Sequence, residues 1–179
     1  MTRGEKASNS AGSAQALEAY YDDARALSDS EFASRHGQGF LLTATRLQGP
    51  NSDSFTEVNL EEDRSDRTAG ISMLVFPVRA GHSKVHLMTL GRTANNDVVV
   101  RDTSVSRFHA YAKPADAGGL LIQDAGSTNG TVVNGKPVPA RDNGPAVELK
   151  PGDDVRIGLV DFTFLDAAGL RSFVLQAGG

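Results

Sequence analysis

From Ile71 to the C-terminus the chain falls into ten short runs rich in Val, Ile, Leu and Phe, among them "ISMLVFPVR", "GLLIQD", "GTVVNGKPV", "VDFTFLD" and "LRSFVL". Gly, Pro, Asn or Asp bounds these runs, and such residues end strands and open turns. Ten closely spaced strands with Asn-Gly and Pro-Gly turns indicate an all-β, two-sheet β-sandwich rather than a βαβ fold. Nineteen glycines and only 6% aromatic residues lean the same way, toward a loop-rich β protein. In such a fold function is expected on the loops at one end.

The first seventy residues have a different texture. Residues 1–13 are small and polar and are expected to form a disordered tail, since they bury too little surface to offset the entropy of ordering. In 14–47, Leu17, Tyr20, Tyr21, Ala24 and Leu27 recur at helical spacing. Ser28 and Glu31 read as a capping box for a second short helix, which Gly37 stops. "GFLLTATRL" adds a brief apolar patch, so 14–47 is expected to be a short α-helical extension. Residues 48–70 carry charges and turn formers without apolar periodicity and read as a polar linker. The β domain is then 71–177.

Composition excludes several function classes. The net charge is −4 and the Lys and Arg residues are scattered, which argues against a nucleic-acid footprint. No basic amphipathic helix faces a membrane, and no run approaches the roughly eighteen apolar residues of a span. The absence of cysteine removes disulfides and thiolate chemistry. No apolar segment follows the N-terminal charges, so no secretory signal is expected and a cytoplasmic location is.

Three polar clusters interrupt the strands: "LGRTANND" (90–97), "TSVSRFH" (103–109) and "DAGSTNGT" (124–131). Each suits an anion. Arg92 and Arg107 are cations, Ser104, Ser106 and Thr128 carry hydroxyls, and the Asn129 amide can grip a peptide backbone. Ser106 and His109 also raise the question of a nucleophile and its base. Residues three apart on a strand point to opposite faces, and a catalytic pair needs a third group to orient the base, so a dyad is disfavoured.

Taken in order, the clusters resemble the forkhead-associated (FHA) domain. The motifs are Gly91-Arg92, Asn96-Asp97, Ser106-x-x-His109, Asp124-x-x-Ser127-x-Asn129-Gly130-Thr131 and Asn134-Gly135, and "LKPGDDVRIG" looks like the family's closing hairpin. The resemblance implies an FHA/SMAD-like sandwich that binds phosphothreonine peptides and reads out an upstream Ser/Thr kinase. The resemblance further implies a binding module rather than an enzyme, with no cofactor or metal. It implies that Arg92 and Ser106 bind the phosphate with Arg107 and Thr128 beside it. Asn129 would hold the ligand backbone just after the phosphothreonine, and Ser104 would bear on specificity further along. Gly91, Asn96, Asp97, His109 and Gly130 would be structural, with His109 bracing the Ser106 loop. The alternative is a phosphate-independent assembly module that docks through its sheet face or N-terminal helix.

Other features carry less. Gly130 to Lys136 opens like a P-loop, but Pro137 stands where Ser or Thr would ligate magnesium, so "NGK" reads as a hairpin turn. His36, His82 and His86 lack metal-ligand spacing. Asn129-Gly-Thr131 fits the short glycosylation pattern, which recurs by chance. Thr56 and Thr68 lie in the linker within a kinase's reach, which suggests phosphorylation-dependent self-association between chains. The family's fold, with its termini away from the recognition loops, argues against Thr68 reaching its own site.

Overall fold

The computed structural model describes residues 14–46, 71–79, 87–115 and 119–178. The expected tail 1–13, the segment 48–70 with Thr56 and Thr68, and His82 and His86 lie outside them. The chain opens with β1 (Gln15–Ala16), a 3-10 turn (Leu17–Tyr20), α1 (Tyr21–Ala26), α2 (Asp29–His36) and β2 (Gly39–Arg46). It continues through β3 (Ile71–Val78), β4 (Met88–Gly91), β5 (Val98–Val99), β6 (Ala110–Pro114), β7 (Leu120–Asp124), β8 (Thr131–Val133) and β9 (Lys136–Pro137). It ends with β10 (Val147–Leu149), β11 (Asp154–Ile157), β12 (Val160–Asp166) and α3 (Ala167–Ala177).

The strands form two sheets, as expected. One has seven strands in the order β1-β3-β2-β12-β11-β8-β9, the other five in the order β10-β7-β6-β4-β5. Their facing sides bury Leu41, Phe76, Leu90, Ile122, Ile157 and Phe164 in one core. Asn134 and Gly135 turn β8 into β9 with φ of 49° and 75°. Both values are positive, as a two-residue hairpin with right-handed twist requires, so the P-loop fragment is indeed a hairpin turn.

Two expectations are corrected. Residues 39–46 are a strand of the sandwich, not part of a helical extension. β2 pairs along its length with β3 and, from Gly39 to Leu42, with β12. Leu41 points into the core between the sheets, whereas Phe40 and Leu42 point into a second core on the other face. A strand buried on both sides has no polar alternation, so the run "FLL" gives no period-two signal. Residues 47–70 therefore join neighbouring antiparallel strands whose ends, Arg46 and Ile71, are directly paired.

The second correction concerns "LRSFVL", which is helical. Asp166 caps α3 by accepting the Gly169 N–H at 2.7 Å. Ala167, Leu170 and Val174 then form one buried stripe at helical spacing. That stripe packs with Leu17, Tyr20, Ala24 and Phe32 over Phe40, Leu42 and Val75, so the N-terminal helices and α3 together roof one face of the seven-stranded sheet. The capping box is present: Ser28 Oγ accepts from Glu31 N while Glu31 returns a bond to Ser28 N, and Gly37 ends α2 at φ 106°.

Candidate functional site

Three loops converge at one end of the sandwich, and each is held from within by short side-chain bonds. In the first, Asn96 Nδ2 donates to Thr93 O and to Arg107 O, both at 2.8 Å. Asp97 Oδ2 accepts the Thr89 N–H at 2.8 Å and the Thr89 hydroxyl at 3.0 Å. Arg92 N donates to Ser106 O at 3.0 Å, which ties the first loop to the second. The contact demands glycine at 91, where a Cβ would stand 2.3 Å from Arg107 O. With these backbone ties, the Arg92 side chain is left exposed to solvent.

The second loop turns on His109, which is fully buried. Its Nδ1 accepts the Ser106 N–H at 3.0 Å, and its Nε2 donates to Gly130 O at 3.0 Å. These two bonds fix the tautomer, with the proton on Nε2. The Nδ1 lone pair meets the Ser106 backbone rather than its hydroxyl, so the geometry is that of a brace and not of a base and its nucleophile.

The third loop is organised by Asp124. Its Oδ1 accepts the N–H groups of Gly126 and Ser127, both at 2.8 Å, and its Oδ2 accepts the hydroxyls of Ser127 and Thr131, both at 2.7 Å. Burial pushes the Asp124 carboxyl up, but the four donated bonds outweigh it and hold the group below its usual range. Gly130 completes the turn at φ 78°, a left-handed value natural to glycine, and its N–H donates to Ser127 Oγ at 3.0 Å.

These braces bring Arg92, Ser106, Arg107, Thr128 and Asn129 around one open cleft of about 440 Å³. Thr128 N donates to Ser106 Oγ at 3.1 Å, and the two hydroxyl oxygens are 3.5 Å apart. The lining carries two guanidinium groups and no carboxylate. An anion seated there meets charge and hydrogen-bond donors together, the combination that makes charge-assisted bonds strong. A second hollow of about 480 Å³ lies over β2, β11 and β12, but its cation, Arg156, is already paired with Asp161 at 2.9 Å.

A residue-matching comparison finds the FHA domain model over residues 88–158. Residues 88–158 form an FHA domain. The FHA match runs from β4 to Gly158, so it contains all three loops, while β2, β3, β12 and the helices lie outside it. Among curated proteins, the chain is 42% identical over 82 residues to an ABC transporter ATP-binding/permease protein of Mycobacterium tuberculosis, covering 46% of this chain and 9% of that one. It is 37% identical over 75 residues to the glycogen accumulation regulator GarA of Mycolicibacterium smegmatis, covering 42% and 43%. The chain thus spans less than half the length of either relative. Among solved structures, the FHA-2 domain of that M. tuberculosis transporter aligns at 38% identity over 49% of this chain and 75% of that one, with a TM-score of 0.38. M. tuberculosis EmbR in complex with a low affinity phosphopeptide aligns at 24% identity over 74% and 26%, with a TM-score of 0.44.

Around the three loops some residues make contacts that sequence reasoning did not assign. Ser104 Oγ is already engaged, donating to Asp102 Oδ1 at 2.6 Å and accepting the Leu159 N–H at 2.9 Å. Asn129 Nδ2 donates to Ser104 O at 2.7 Å, so the same amide that faces the cleft also ties its two loops. Leu159, 65% exposed in the β11–β12 turn, and Phe108, 48% exposed beside Arg107, stand at the edges of the site. The signal for Phe108 was an apolar residue set among polar ones in "SRFH". For Leu159 there was none beyond its place in a Gly-Leu turn.

Proposed function

We propose that this protein binds phosphothreonine in partner proteins and thereby reads out Ser/Thr-kinase activity in the cytoplasm. The observation that carries the reading is the cleft itself, with Arg92, Arg107, Ser106 and Thr128 around one space and no acid in its lining. A phosphate brings about −1.5 to −2 charges at neutral pH. Each charge-assisted bond contributes roughly 1.5 to 3 kcal/mol, so a few reach micromolar affinity, about −8 kcal/mol. Arg92 and Ser106 contact the phosphate, and Arg107 and Thr128 flank it. Asn129 Oδ1 accepts a ligand backbone N–H while Nδ2 keeps its bond to Ser104 O. The role is binding rather than catalysis, because the His109 lone pair is committed to the Ser106 backbone. The test is a titration of matched peptides bearing phosphothreonine, threonine and glutamate; equal affinity for all three overturns the reading.

The phosphate-independent alternative is weaker, since the apolar faces of the N-terminal helices are buried against α3 and the sheet. Phosphorylated Thr56 or Thr68 would then serve as a ligand for a neighbouring chain, giving phosphorylation-dependent self-association. Thr43, Ala44 and Thr45, just before Arg46, share a hollow of about 280 Å³ with Ser104 and Leu159. Thr45, near the last described residue before the segment 47–70, thus lies close to Ser104. Phosphorylation followed by light scattering checks the self-association: an unchanged monomer, or a dimer that survives Arg92→Ala, rules it out.

A further inference from the structure

Phe108 is 48% exposed, whereas Val105 before it and Ala110 after it are buried. Its ring is nevertheless held in place. It stacks on Tyr111 with centroids 6.5 Å apart and planes 5° from parallel. Tyr111 stands on the outer face of the five-stranded sheet, between Ala110 and Ala112, whose side chains enter the core. Phe108 is thus a flat apolar shelf on the wall of the same cleft that Arg92 and Ser106 line. An exposed phenyl ring gains by being covered, and one already stacked gives up little freedom when it is.

The cleft has a direction. At one end Ser104 Oγ accepts the Leu159 N–H of the β11–β12 turn of the seven-stranded sheet, and the Asn129 amide donates to Ser104 O. At the other end Phe108 overlies Tyr111 of the five-stranded sheet. Ser106, the phosphate contact, lies between them in the chain. If Asn129 holds the backbone just after the phosphothreonine, Phe108 is the apolar wall left for the residues before it.

We propose that Phe108, braced by Tyr111, is a specificity-determining residue that selects an apolar side chain within the three positions before the phosphothreonine. The inference rests on the phosphothreonine reading and names the class of peptide that the site takes. Covering a ring face with a leucine-sized side chain supports a preference of about tenfold over serine.

The experiment uses the full chain and a peptide library with a fixed phosphothreonine, varied at one position at a time from three before it to three after it. The parent is expected to favour Leu, Ile or Phe over Ser before the phosphothreonine by about five- to tenfold. Phe108→Ser should abolish that preference, bringing the Leu-, Ile- and Phe-bearing phosphopeptides down to the affinity of the serine-bearing ones, and Tyr111→Ala should weaken it partly. Phosphate-dependent binding with no preference before the phosphothreonine, or with one that survives Phe108→Ser, overturns the inference and leaves the phosphothreonine reading standing. If no library member binds better than its unphosphorylated counterpart, that reading fails and takes the inference with it.

Discussion

His109 reaches Ser106 through the backbone: its Nδ1 accepts the Ser106 N–H at 3.0 Å while its Nε2 donates to Gly130 O at 3.0 Å. One buried ring thus sets the positions of two loops that are separate in sequence. His109→Ala should leave both backbone groups without their partner, at about 1 to 3 kcal/mol each. Denaturant unfolding should show a total loss of about 3 kcal/mol or more. Phosphopeptide affinity should fall with it, and no hydrolase activity should be lost, because the ring is not placed to act as a base. A stable variant with unimpaired binding would contradict the brace.

Arg92→Ala removes an exposed cation whose side chain takes no part in the core. Phosphopeptide binding should weaken about thirty- to hundredfold, the equivalent of about 2 to 3 kcal/mol, with an unchanged melting temperature. Calorimetric titration of mutant and parent checks it, and equal affinities would remove Arg92 from the phosphate site.

Asn129→Ala tests a double role. The ligand backbone loses a partner, and Ser104 O loses the amide that binds it at 2.7 Å. Peptide affinity should fall about tenfold, while the chemical-shift response of the Arg92 and Ser106 amides to inorganic phosphate should persist. Equal losses for peptide and free phosphate would place Asn129 on the phosphate instead.

Asp124 and His36 each give stability a pH dependence of its own. The Asp124 carboxyl is held below its usual range in the fold, so it contributes stability that is present above the unfolded pKa of about 3.9 and lost as pH falls through the folded value. Asp124→Asn should lower stability at pH 7 and flatten the acid limb below about pH 4. His36 is also lowered, because burial against Tyr20 and Phe32 outweighs the Asp23 carboxylate 2.8 Å away. Here the unfolded chain takes up the proton first, so stability begins to fall as pH drops below about 6.5. His36→Gln should flatten that limb alone. Urea midpoints measured from pH 8 to pH 3 separate the two.

A fragment of residues 71–179 spans the sequence-defined β domain but lacks β2. It should not fold, because β3 and β12 lose the strand between them and the sites of the buried Phe40, Leu41 and Leu42 are left open. Residues 14–179 should fold. Circular dichroism and cooperative melting compare them, and a cooperative fragment 71–179 would mean that β2 is dispensable.

What the sequence determined by itself is local. The Asn134-Gly135 turn, the Ser28–Glu31 box and the three loop motifs were legible because each is specified by residues a few positions apart. A turn needs positive φ at two residues, a cap needs one side chain near one N–H, and a glycine is needed where a backbone passes close. Tertiary structure decided what depends on distant surfaces. "GFLLTATR" carries no period because both its faces are covered, and only the pairing with β3 and β12 makes it a strand. "LRSFVL" is a short apolar run compatible with strand or helix; the Asp166 cap and the sheet face exposed above Phe40 and Val75 made it helical. The same holds for the site. Arg92, Ser106 and Thr128 were named from motifs, but the exposure of Phe108, the engagement of the Ser104 hydroxyl and the nearness of Leu159 arise where two sheets bring three loops together. Contacts between residues far apart in the chain are chosen by which apolar surfaces can cover one another, and no short stretch of sequence contains that choice.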